Sequence, residues 1–291
     1  MNIWLLRAIW ISLPVTAGGA FADAIAPWPD GPRIVAAVLA WVGWTIVLIA
    51  TLVPRPWAIT VARFGMPLAF GAAVAVATTG RASSVMATTA VVLTAVACVL
   101  GTRGEFARLC AQGAAYGDEE RFPLKVPPAV TFPISPVAIA IVGAALVVGP
   151  LLLADESWTA GILVMVMAGP AAFFVVRLVH QLARRWVILV PAGLVVADPL
   201  TITDPVLFPR ARIMGLGPAD PSRSPPEDAC DLRLGASYGS CALLLTDDAD
   251  IIRRVRSKGV TIRANLLLVT PTAAPRLFER ARAHRIHVRT D

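Results

Sequence analysis

The chain has 291 residues, 57% of them hydrophobic and 15% charged, with a formal net charge of +7 and a mean hydropathy of +0.71. So apolar a composition argues against a wholly water-soluble protein and makes the lipid bilayer the first solvent to consider. The charge is uneven: residues 1–185 hold 12 Lys+Arg and 8 Asp+Glu, residues 186–291 hold 14 and 11, so a normally charged segment follows a hydrophobic one.

About 20 apolar residues cross a hydrocarbon core as a helix, because backbone groups there must pair within their own segment. Six stretches qualify: Ile3 to Ala22, Ile34 to Val53, Phe64 to Thr79, Val85 to Gly101, Ile134 to Leu153 and Thr159 to Val179. Pro67, Pro150 and Pro170 lie in or beside them, which neighbouring helices can accommodate. The first stretch has a second reading, since Ala20-Phe21-Ala22 has the form of a signal-peptidase site. The residues before Arg7 lack the basic region a signal peptide carries. Both readings remain open.

Lys and Arg near span ends are retained in the cytoplasm. With six spans and the N terminus inside, Arg7, Arg55, Arg63, Arg103, Arg108, Arg121, Lys125, Arg177, Arg184 and Arg185 fall on the inner side, and only Arg33 and Arg81 on the outer. This bias predicts that both termini are cytoplasmic, and basic residues that are almost all Arg, with abundant Ala, Val and Pro, suggest a bacterial source and hence the plasma membrane. Trp28, Trp57 and Trp158 stand where interfacial aromatics are expected, whereas Trp41 and Trp44 suit packing between helices. The predicted spans contain no acidic residue and no histidine except His180 at an end, which argues against ion-coupled transport.

Residues 102–133 form the longest connection. Glu105 to Ala115 suits a short amphipathic helix, which Gly117, Pro123, Pro127 and Pro128 end. Tyr116, Asp118, Glu119, Glu120, Arg121 and Phe122 are the candidate interdomain docking segment, with a solvated linker as the alternative.

After Arg184 and Arg185 the hydrophobic pattern changes to period two. Trp186 to Val190, Gly193 to Asp198, Ile202 to Phe208, Arg210 to Leu216, Asp231 to Ser237, Cys241 to Thr246 and Val260 to Val269 read as strands. Pro191-Ala192-Gly193 reads as a turn, and residues 217–228 as a loop. One helix closes the chain, with Thr272 as N-cap, Pro275 in the first turn and Leu277, Phe278 and Ala281 as its apolar stripe.

The predicted fold is therefore an α-helical polytopic membrane domain of about six transmembrane helices over residues 1–185, then a cytoplasmic α+β domain over residues 186–291. Meandering strands closed by one helix, with the segments RWVILVPAGLVVADP, LFPRARI and LLLVTPTAAPRLFERARAHRI, resemble the bacterial PH-like domains appended to membrane proteins. The resemblance implies a β-barrel or meander that acts as a binding module. Through AAYGDEERFPL and VPAGLVVADPL the whole chain resembles a family of multi-pass actinobacterial membrane proteins.

Catalytic motifs are weak. Gly235-Ala-Ser237-Tyr-Gly239 matches G-x-S-x-G, and Asp247, Asp248, Asp250, His284 and His287 follow in triad order. The elbow needs a helix after the serine, however, and residues 240–246 read as a strand. Asp247-Asp248-Ala-Asp250 lacks the glycine and glutamate of a calcium loop and reads as an acidic turn. His284 and His287 suit the end of the last helix. Cys98, Cys110, Cys230 and Cys241 lack zinc-ligand spacing and are expected to be free thiols. No phosphate-binding loop occurs.

The expectation is thus a protein without catalytic residues, metal or cofactor. Arg253, Arg254, Arg256, Lys258 and Arg263 are candidate contacts for inner-leaflet anionic lipid or a partner, with charge protection of a strand edge as the alternative. Expected partners are other membrane subunits and lipids, not nucleic acid. The expected role is an accessory subunit of an envelope or lipid-transport assembly, with a transporter or flippase of an uncharged or lipid substrate as the alternative.

Overall fold

The computed structural model describes every residue except 1, 2, 129, 131–133, 221, 223, 257, 290 and 291. The chain divides into two compact units, residues 1–110 with 135–180, and residues 111–134 with 181–291. The predicted loop is therefore split, and its part from residue 111 belongs with the C-terminal segment; residues 129 and 131–133 of it lie outside the described residues.

The first unit is helical: α1 (Ile3–Thr16), α2 (Gly18–Ile25), α3 (Asp30–Leu52), α4 (Pro56–Thr78) and α5 (Ser84–Thr102) precede α6 (Gly104–Gln112), which carries the chain into the second unit. After the loop come α7 (Ser135–Gly143), a π turn (Ala144–Val148), α8 (Gly149–Ala154) and α9 (Trp158–Leu182). Among the described residues, five helical runs are long and apolar enough to cross a membrane, and α1 with α2 makes a sixth if the bent pair is one span. This pattern is compatible with a multi-pass membrane protein. α9 makes the point most clearly, since only 6% of its most apolar window is covered by the rest of the chain.

The first predicted span differs in detail. It is a pair of helices bent by 40°, because Pro14 removes an amide donor and Gly18-Gly19 follow the break. Trp10 O, which would have accepted from residue 14, instead accepts from Trp44 Nε1 at 2.8 Å, while Trp10 Nε1 donates to Trp44 O at 2.9 Å. Arg7 donates to Thr51 O at 2.9 and 3.1 Å, supplying donors to the C-terminal turn of α3. The π turn stands just ahead of Pro150, which interrupts the same ladder.

Small residues let α3, α4 and α5 approach one another closely. A Cβ on Gly65 would lie 2.4 Å from Val47 Cγ2, and one on Gly101 would lie 2.0 Å from Met66 Sδ.

The second unit has two four-stranded sheets and is not a closed barrel, which corrects the predicted barrel, while one of the sheets is an antiparallel meander. One sheet runs in the order β1 (Glu120–Pro123), β2 (Trp186–Val190), β3 (Gly193–Ala197), β4 (Val206–Pro209), all antiparallel. In the other, β5 (Ile213–Pro218) pairs with β7 (Cys241–Val255), then β8 (Lys258–Val269), then β6 (Cys230–Asp231), with β6 parallel to β8. Leucine, isoleucine and valine from both sheets fill one core with Phe122, Phe208 and the Leu277 and Ala281 face of α10 (Ala274–Ala283). The turn at Pro191-Ala-Gly193 is present; a Cβ on Gly193 would meet Phe208 O at 2.1 Å.

Several strand predictions shift. Residues 232–237 turn, with Leu234 and Gly235 at φ +52° and +85°, and Arg210–Arg212 is a 3-10 turn ahead of β5. Residues 247–255 continue β7 instead of ending it. Their acids misled because period two persists beneath them: Ala249 and Ile251 are buried and Asp250 is exposed. Thr272 is not the N-cap; that place falls to Ala273 without a side-chain bond, while the Thr272 amide donates to Pro123 O. Past α10 the chain returns to β5, where Leu216 bonds to His287 and Arg289.

Candidate functional site

The docking segment is assembled by its own side chains and by α10. At the end of α6, Gln112 donates to Glu119 O at 2.8 Å and accepts from the Arg121 amide at 3.0 Å, closing the turn at Gly117. Glu119 accepts from Arg121 at 2.9 Å and from the Tyr116 amide at 3.3 Å. The Arg121 guanidinium lies 4.7 Å from the centroid of Trp186. Glu120 accepts from Arg276 Nη2 at 3.1 Å and from Arg280 Nε, which clamps α10 to β1. Phe122 enters the core, whereas Tyr116 and Asp118 are exposed.

These residues face a groove of about 680 Å³. Gln112, Asp118, Glu119 and Glu120 line one part of it, and Arg276, Arg280 and His284 another, with Pro191 between strands β2 and β3. Acids and bases thus meet in one concave surface. The α10 arginines were read only as the polar face of a helix. Their i, i+4 spacing, 276 and 280, was the available signal, but nothing in it named Glu120 as the shared acceptor.

The basic candidates lie at and near the tip of the β7–β8 hairpin. Arg253, Arg254 and Arg256 are on β7 or just past it, and Lys258 opens β8. Arg263 stands apart, paired with Asp250 at 3.1 Å across the hairpin base.

Ser237 sits in a turn bounded by Gly235 and Gly239, at φ +85° and +73°. Its carbonyl accepts from the Ser240 amide, and β7 begins at Cys241, so no helix follows. Asp248 and Asp250 lie within β7, not in a turn; Asp248 O accepts from Arg212, and the register shifts between Leu244 and Ala249. His284 caps α10 with its amide on Arg280 O. Among the described residues no three His, Cys, Asp or Glu side chains form a metal-holding group.

All four cysteines are free. Burial pushes the thiols of Cys110 and Cys241 up to about 12 and that of Cys230 to about 11, so thiolate chemistry at neutral pH is suppressed.

One polar group escaped the sequence reading. Arg63 was placed before the third span, but Pro56 at the first helical position starts α4 earlier and puts Arg63 two turns inside it. One turn away on the same helix, buried Thr60 shares a 3.1 Å hydrogen bond with His180 Nδ1 of α9.

No family model, no curated protein and no solved structure matches this chain.

Proposed function

We propose that this is a non-enzymatic integral membrane protein of the bacterial plasma membrane, with both termini cytoplasmic, serving as an accessory or stabilising subunit of an envelope or lipid-transport assembly. Its C-terminal α+β unit is the PH-like binding module. The carrying observation is the mixed-charge groove where Glu119 and Glu120 face Arg276, Arg280 and His284. The clamp of Glu120 onto α10 keeps that surface preorganised, which lowers the ordering cost of binding a polypeptide with charges of both signs.

Affinity purification of the full chain in mild detergent tests the reading. A stoichiometric protein partner is expected, and Asp118→Arg, which reverses an exposed charge on the groove, is expected to lose it. A solitary chain from native membranes would overturn the proposal.

The bend between α1 and α2 and the π turn favour a second reading, transport of an uncharged or lipid substrate, since broken helices often line translocation sites. Uptake or lipid scrambling by the purified protein in vesicles, abolished by Arg63→Leu, would support it.

A further inference from the structure

The β7–β8 hairpin outruns its neighbours. β5 pairs with β7 only over Cys241–Leu245, and β6 pairs with β8 only at Leu267 and Leu268. Ile251 is the last buried residue of β7, and Ala264 the first buried residue reached along β8. Beyond them, among the described residues, residues 201–203 flank the ribbon, where Ile202 bridges Arg253 and the amides of Thr203 and Arg254 donate to Ile252 O and Thr201 O.

The composition of this arm is unusual for a solvated ribbon. From Ile252 to Thr261 there are four cations, Arg253, Arg254, Arg256 and Lys258, and no acid. Interleaved with them, Ile252, Val255 and Val260 are 43%, 49% and 46% exposed. Register places Val255 opposite Lys258 and Arg253 opposite Val260, so valines and cations alternate along one face of the ribbon, while Ile252 and Arg254, paired with Thr261 and Gly259, lie on the other. A strand edge guarded against aggregation needs the charges but not the exposed valines and isoleucine. A headgroup layer, anionic outside and oily beneath, matches both.

We infer that the hairpin tip is a membrane-surface arm, in which Arg253, Arg254, Arg256 and Lys258 hold anionic phospholipid headgroups while Val255 and Val260, on one face, enter the acyl boundary. Arg263 is excluded, because Asp250 already neutralises it. The inference rests on the helical unit spanning a membrane, since α9 ends at Leu182, four residues before β2 begins at Trp186. A tether of three residues, 183 to 185, limits by chain length alone how far the start of β2 lies from the end of α9.

The test uses the full chain, with Cys98→Ala and a single bimane label at Val260→Cys, in nanodiscs of neutral phosphatidylcholine or of phosphatidylcholine with about one third phosphatidylglycerol. Cys110, Cys230 and Cys241 are buried and stay unlabelled. Nitroxide lipids are expected to quench the label in anionic discs, weakly in neutral ones, and less in high salt. Each cation near an anionic surface contributes roughly fivefold to partitioning. Replacing all four with Gln is therefore expected to abolish the lipid-dependent quenching, and Arg263→Gln to leave it unchanged. Equal quenching in both disc types, no quenching, protection only by an added protein, or an equal loss with Arg263→Gln would each overturn the inference. Failure of the chain to enter nanodiscs would instead remove the membrane reading on which it rests, and the inference with it.

Discussion

Arg185 and Asp198 form an ion pair 2.8 Å apart with side chains 1% and 0% exposed. The pair is fully satisfied: Arg185 also donates to Leu232 O at 2.7 Å and Lys125 O at 3.2 Å, and Asp198 accepts from the Leu200 amide at 3.1 Å. It thereby ties the start of β2 and the end of β3 to the segment after β1 and the turn after β6. Removing one partner strands a buried charge, so Asp198→Ala is expected to destabilise the C-terminal unit by roughly 3–5 kcal/mol. Arg185→Met with Asp198→Leu is expected to cost much less than the single changes sum to. Thermal melts of the three variants in detergent, followed by tryptophan fluorescence, check this; additive losses would refute it.

The Glu120 clamp is more exposed and therefore weaker. Arg276 and Arg280 keep 61% and 47% of their side chains in solvent, so each pair is expected to contribute about 0.5–1 kcal/mol. Glu120→Gln is expected to raise amide exchange in α10 while leaving β7 and β8 protected. Unchanged α10 exchange would mean that the clamp does not hold the helix.

Thiol titration gives a pH dependence of known sign. The folded chain keeps Cys110 and Cys241 protonated up to about 12 and Cys230 up to about 11, above the ordinary value of 9.0. Between pH 9 and about 12 the unfolded chain binds fewer protons, so stability present below pH 9 is lost as pH rises through that window. Urea midpoints at pH 8 and pH 10.5 are expected to show the fall, and replacing the three with Ala or Val to flatten it. At pH 8 these thiols are expected to resist maleimide until the chain unfolds, so labelling them reports unfolding, not which side of the membrane they face.

Close packing of α4 and α5 depends on Gly101. Gly101→Val forces Met66 away and is expected to cost about 1–3 kcal/mol, with Met66→Ala partly restoring stability. Unfolding in graded SDS measures both, and an unaffected single variant would mean the helices do not pack at that point.

Much of the plan was legible in the chain. Apolar length alone marked the helices long and apolar enough to cross a membrane, because a helix that cannot hydrate its backbone must be long and greasy; ends moved, as where Pro56 began α4 ahead of Arg63, and the first stretch became a bent pair. Period two marked β2 and β3 within a residue. Residues 118–121 were visible as a cluster of opposed charges after a glycine, yet the partners of Glu120, Arg276 and Arg280, were not, because they lie more than 150 residues away.

By itself, the sequence determined the division into an apolar helical segment and a charged, strand-rich one, because solvent preference is written locally in side-chain polarity. Tertiary structure decided what no local pattern encodes. It drew residues 120–123 into the sheet edge, buried Arg185 where a cytoplasmic charge closing the last span was expected, and carried the cationic tip of the β7–β8 hairpin beyond its flanking strands. Each outcome depends on a partner distant in the chain, and pairing across that distance is set by shape and burial, not by neighbouring residues.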